Sequence, residues 1–145
     1  MKQVKYRTYS LPKEAVKRNW HLIDAQGQLL GKVAVQIADH LQGKKKLDFT
    51  PHTDNGDYVV VINAGEIGVT GKKEQHKMYY RHTNYPGGFR QETLAELRAR
   101  RPEQIIKLAV QNMLPKNRTR SDRLARLKIF VGAEHPYTKL VTSKE

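Results

Sequence analysis

Residues Tyr58 to Ile62 read YVVVI, five apolar residues without a polar break, four of them β-branched. So short a run, bounded by Asp57 and Asn63, fits a strand covered on both faces, in the interior of a parallel or mixed sheet. Its surroundings change character at once. Pro51, Asp54, Asn55 and Gly56 precede it as turn residues; Gly65, Gly68 and Gly71 follow it, then Lys72, Lys73, Lys77, Tyr79, Tyr80, Arg81 and His82. A buried strand therefore leads into glycine-punctuated loops that carry cations and aromatic rings.

The sequence before this strand supplies what a parallel sheet needs. Trp20 to Ala25 reads as a first strand ending at Gln26-Gly27, and Leu29, Leu30, Val33, Ala34, Ile37, Ala38 and Leu41 recur at helical spacing as far as Gly43. Strand, helix and strand make a right-handed crossover unit. Farther on, Lys77 to His82 has the aromatic content of another strand, and Asn84 to Gly88 is turn sequence. Thr93 and Glu96 have capping-box spacing for a helix through Arg100. Pro102 suits the first position of the next helix, whose Ile105, Ile106, Leu108, Ala109 and Met113 are expected to face the core until Pro115. Leu124 and Leu127 suggest a brief helical turn, Ile129 to Val131 a last strand, and the chain from Gly132 onward is expected to be irregular.

Charge is distributed unevenly. Of 145 residues, 27 are Lys or Arg and 14 Asp or Glu, a net +13 that points to a polyanionic partner. Residues 1–18 carry six basic and one acidic residue, residues 114–145 carry eight and three, and the 95 between them carry thirteen and ten. The expected layout is a basic N-terminal arm (1–18), one α/β domain (19–132) and a C-terminal tail (133–145). The arm lacks the apolar side chains that would offset an ordering cost of about 1–2 kcal/mol per residue, and is expected to be mobile when free. It fits either a solvated tail or an arm that orders on nucleic acid. Lys44, Lys45 and Lys46 suit the negative end of the preceding helix dipole as well as a phosphate.

Other chemistries find little support. GEIGVTGKK has glycines at 65, 68 and 71, which fit neither G-x-x-x-x-G-K-[ST] nor G-x-G-x-x-G; Glu66 and Lys73 stand where a P-loop needs glycine and Ser or Thr. With no cysteine, disulfides and thiol chemistry are excluded. His52 with Asp54, or His76 with His82, could contribute metal ligands, but neither pair has the spacing of a zinc motif, so no metal and no cofactor are expected. No nucleophile elbow or paired-carboxylate motif suggests catalysis. The N-terminal stretch lacks the apolar segment of a signal peptide, and no 18 apolar residues run together, so neither secretion nor membrane insertion is expected. RNA fits better: Lys and Arg neutralise phosphates, and Tyr79, Tyr80, Tyr85 and His82 offer faces to unstacked bases unless they pack in the core. Six cations fall within residues 116–128, among them Arg118, Arg120 and Arg123, which are taken as RNA contacts on charge.

Several blocks occur together and in order: VKRNWHLIDA at 16–25, LGKVA at 30–34, TPHTDNGDYVVVINA at 50–64, VTGKK at 69–73, KMYYRHTNYPGG at 77–88, ARRPEQIIKLAVQNMLPKN at 99–117 and RLKIFVG at 126–132. In these the chain resembles the bacterial type of large-subunit ribosomal protein L-thirteen across nearly its full length. The resemblance implies a three-layer α/β/α fold with a four-stranded, mainly parallel sheet and basic extensions. It implies a cytoplasmic constituent of the large ribosomal subunit that binds the large rRNA beside neighbouring ribosomal proteins, acts early in assembly, and has no catalytic activity or small-molecule substrate. Carried over position by position, it implies rRNA contacts at Lys17, Arg18, Lys32, Lys44, Lys45, Lys46, His52, Lys72, Lys73, Tyr80, Arg81, His82 and Lys116. The chain departs from the family after MLPKN, where Arg118, Thr119, Arg120 and Ser121 replace a usual Leu-Gly pair, and in the tail AEHPYTKLVTSKE. An RNA-directed enzyme and a regulator binding messenger RNA outside the ribosome are the alternative readings.

Overall fold

The computed structural model describes residues 9–142. Three parallel strands form the central sheet in the order β1 (Trp20–Asp24), β2 (Tyr58–Ile62), β5 (Leu127–Ile129). The YVVVI run is the middle strand, with Val59, Val60 and Val61 fully buried. Register places Trp20 beside Tyr58, Ile23 beside Val61 and Val59 beside Leu127. The last strand lies two residues earlier than its apolar run suggested, although pairing persists beyond it: Phe130 N–H donates to Val61 O at 2.8 Å and Asn63 N–H to Gly132 O at 3.1 Å.

Helix α1 (Leu30–Gln42) links β1 to β2 and buries Leu30, Val33, Ala34, Ile37, Ala38 and Leu41 against the sheet face that carries Val59 and Val61. It ends at Gly43, whose φ of 78° only glycine adopts without strain. On the same face lie α3 (Leu94–Arg100) and α4 (Pro102–Met113). Thr93 and Glu96 close the expected capping box, and Pro102 occupies the start of α4. The buried stripe of α4 differs from expectation at one residue. Ile105 and Ile106 are fully buried and Leu108 and Ala109 pack half-buried against the core, with Val110 and Leu114 joining them, while Met113 is 41% exposed; the outer sides of Leu108 and Ala109 line a surface trough with Met113.

The expected four-stranded sheet is not what forms. β3 (Met78–His82) pairs antiparallel with β4 (Phe89–Thr93) in a hairpin separate from the three-stranded sheet. The reason lies in the strand itself: MYYRH carries Arg81 and His82, which a strand covered on both faces could not bury unpaired. Standing out from the body, β3 exposes Tyr80, Arg81 and His82. A short helix α2 (Lys73–His76) precedes it, and α5 (Arg120–Ala125) precedes β5.

The other sheet face is covered thinly. Trp20 stacks on Tyr58 with ring centroids 4.3 Å apart, and Tyr137 stacks on Trp20 at 5.1 Å. Tyr137 leads into α6 (Thr138–Thr142), a short helix where irregular chain was expected. At the other end, residues 9–18 lie against the body in part: Leu11 is buried and its carbonyl accepts the Thr53 hydroxyl at 3.1 Å. The first eight residues of the expected arm lie outside the described residues. No helix among those described is long and apolar enough to cross a membrane.

Candidate nucleic-acid interface

The cations divide into two populations, and the loop from Thr53 to Asp57 defines the first. Asp54 accepts from both guanidinium nitrogens of Arg126 at 2.7 and 2.8 Å and from Arg123 Nε at 3.3 Å. Burial raises the Asp54 pKa, but hydrogen bonds and charge from Arg126 and Arg123 outweigh that and hold it below the ordinary carboxylate range. Two residues on, Asp57 accepts the Asn19 N–H at 2.8 Å and lies 2.6 Å from Lys46 Nζ and 3.0 Å from His21 Nε2. Burial again pushes its pKa up, and His21, the Asn19 amide and Lys46 bring it down to about 2. Lys46 also donates to the carbonyl of Lys17 at 2.7 Å and to Asn55 Oδ1 at 3.3 Å.

Between the two carboxylates, Gly56 is pressed against α1. A Cβ there would run into the Leu41 carbonyl and lie 2.9 Å from the Arg126 guanidinium. Arg123, 4% exposed, and Arg126, 7% exposed, are thus structural cations that tie α5 and β5 to the loop entering β2. Arg123 was expected at an RNA surface and is instead withdrawn into the fold; Lys46, half-buried, is equally occupied. Sequence reasoning missed this knot because positive charge carries no mark of whether its partner is internal.

It also missed His21, His40 and Asp57 as a group. Their ligand atoms lie within 4.8 Å of one another, and the two imidazoles are 4.0 Å apart. Among the described residues this is the set that could hold a metal ion, yet its lone pairs are engaged: Lys46 sits on one Asp57 oxygen and Lys45 Nζ is 3.1 Å from His40 Nε2. Burial, followed by the charges of His21 and Lys45, lowers the His40 pKa to about 4. The group is an ion-pair and hydrogen-bond cluster with a neutral histidine at its edge. His52 with Asp54 and His76 with His82, the pairs weighed and set aside in the sequence, form no such group among the described residues; His52 Nε2 is 2.8 Å from the Ser10 hydroxyl and His82 Nδ1 accepts the Asn84 N–H at 2.9 Å.

The second population faces solvent. Lys17, Arg18, Lys32, Lys44, Lys45, His52, Lys72, Lys73, Tyr80, Arg81, His82, Lys116 and Arg118 are exposed, and Arg120 is half-buried. Arg18 reaches the Asp54 carbonyl at 3.4 Å, and Lys73 donates to the Thr70 hydroxyl at 3.0 Å. Tyr80, 64% exposed, stacks on Phe89 across the hairpin at 5.8 Å.

Several of these groups converge on two adjoining surface cavities of about 580 and 550 Å³ that share Lys77, Ala109 and Asn112. The first lies between the hairpin and helices α3 and α4, with Tyr79, Tyr80, Arg81, Arg100 and Arg101 on its walls. The second runs from α4 to the start of α1, with Leu29, Lys32, Lys73 and Met113. Six cations line the pair, against one acid, Glu92, which already holds Arg100 at 2.7 Å. Lys32 and Lys73 lie 41 positions apart in sequence; Lys77, Arg100 and Arg101 were not singled out as contacts. Their common signal is placement around the exposed side of α4, which becomes visible only once the helix is packed in the fold.

The sequence profile of the family described as Ribosomal protein L13 matches residues 18–136. The large ribosomal subunit protein uL13 of Alcanivorax borkumensis is 51% identical over 132 residues, covering 91% of this chain and 93% of its own. That of Roseiflexus castenholzii is 49% identical, covering 90% of each chain. The uL13 of Maridesulfovibrio salexigens is 48% identical, covering 91% and 93%.

Proposed function

The chain belongs to the ribosomal protein L13 family, and on that premise we propose that it is a structural constituent of the large ribosomal subunit, bound to large-subunit rRNA in the cytoplasm and supporting early subunit assembly beside neighbouring ribosomal proteins. As a ribosomal protein it is not an enzyme. The observation that carries the RNA reading is the convergence of Lys32, Lys73, Lys77, Arg81 and Arg101 on one concave surface whose one acid, Glu92, is already taken by Arg100. Polyanionic backbone would supply the missing counter-charge and release its own counterions.

The proposed contact surface comprises these residues together with the exposed Lys17, Arg18, Lys44, Lys45, His52, Lys72, Tyr80, His82, Lys116, Arg118 and the half-buried Arg120. Lys46 and Arg123 drop out of it, because Asp57 and Asp54 already engage them. Two measurements test the proposal. Tagged protein in a cell extract should co-sediment with the large subunit. Binding to a large-subunit rRNA fragment, with about six phosphates neutralised, should give a slope of log K against log salt between about −4 and −5. Persistent sedimentation free of ribosomes, or a flat salt response, would overturn it.

A further inference from the structure

Resting on the RNA reading above, we propose that the trough over α4 accepts an unpaired stretch of RNA, with bases toward its apolar floor and phosphates along its cationic rims. The floor is the first reason. Leu29 and Met113 are 37% and 41% exposed and, with Leu108 and Ala109, bring apolar surface to the cavities. Double-stranded RNA hides its base faces and is bound through phosphates and 2′-hydroxyls, for which an apolar trough offers little; an unpaired strand has base faces to bury.

The rims are the second reason. Lys32 and Lys73 stand at one cavity, Arg81 and Arg101 at the other, and Lys77 where they adjoin. Cations distributed along a trough match a chain of phosphates better than one anionic group. Thirdly, Tyr80 is exposed at the wall and backed by Phe89, a ready stacking surface for a base. Gln104 and Asn112 add amides that can both donate and accept. Each cavity falls in the size range that encloses a small-molecule-sized group.

Tyr80 is exposed on β3 at the trough wall, so Tyr80→Ala removes the stacking ring without altering charge. Fluorescence anisotropy on the full chain would compare an unpaired 12-nucleotide oligoribonucleotide with an RNA hairpin of equal phosphate number. The substitution is expected to weaken the unpaired strand about tenfold, the scale of one lost stacked base, while the hairpin changes less than about twofold and the salt slopes stay put. As a check independent of variant folding, 4-thiouridine in the unpaired probe should photo-crosslink wild-type protein at β3 and α4. Equal losses for both RNAs, no loss for the unpaired strand, or crosslinks confined elsewhere would overturn the trough assignment. So would displacement of the probe by polyglutamate at concentrations where an equally charged oligoribonucleotide is ineffective, which would give the trough to an acidic protein segment. If rRNA still binds with a steep salt response, that failure leaves the ribosomal reading standing; failure to bind any RNA removes both.

Discussion

Two polar, glycine-containing loops flank the central part of this chain and have opposite fates. Thr53 to Asp57 turns inward: Asp54 holds Arg123 and Arg126, Asp57 holds Lys46 and His21, and Gly56 lies hard against the α1 backbone. Val69 to Lys73 stays outward: Gly71 has φ 64° with open space about it, Lys72 is exposed, and Lys73 donates to the nearby Thr70 hydroxyl. What separates them is the supply of carboxylate. Where acidic residues are free to pair, cations become struts; where the nearby acid is already held, as Glu74 is by Arg98, the charge stays available to a partner.

The sharpest way to break this contrast is at Asp54. Asp54→Ala leaves two nearly buried guanidinium groups without their counter-charge and should cost about 3–5 kcal/mol of unfolding free energy, read by urea denaturation; a loss below about 1 kcal/mol would show that water or a rearranged acid replaces it. Gly56→Ala should cost about 1–3 kcal/mol by forcing the loop off α1, detected in the same experiment as a lower midpoint with an unchanged denaturant slope.

Acid should act on the inward loop next. His40 titrates at about 4 when folded and 6.5 ordinarily, so the unfolded chain binds the extra proton between these values. Its contribution is therefore fully present above pH 6.5 and is lost as pH falls toward about 4. Asp57, lowered from 3.8 to about 2, extends the loss from roughly pH 4 downward. His40→Gln should flatten the upper limb of a melting-temperature profile and leave the lower one; an upper limb of undiminished steepness would assign the proton elsewhere. The smallest stability effect belongs to the outward loop. Lys72→Glu with Lys73→Glu should shift unfolding by no more than about 0.5 kcal/mol, yet weaken rRNA binding and impair subunit assembly. Equal losses of stability and binding would move these lysines into the structural class.

Legibility followed the range of the forces. α1, the capping box at Thr93 and the parallel pairing of β1 with β2 were readable because each depends on residues within a few turns, or on an apolar run that has one compatible environment. The hairpin was half-visible: the turn at 84–88 was present, but FRQET carried too weak an alternation to announce a strand. The division of cations was hidden, since Arg123 and Arg126 meet an aspartate some 70 positions away.

By itself, then, the sequence determined that a buried strand would be served by an amphipathic crossover helix, and that positive charge would stand well in excess, which points to an external polyanion. The tertiary structure decided which cations remain to meet it. It did so by bringing Asp54 and Asp57 under one set and leaving another around the exposed side of α4, because ion pairing depends on distance through space, and that distance exists only after the chain has folded.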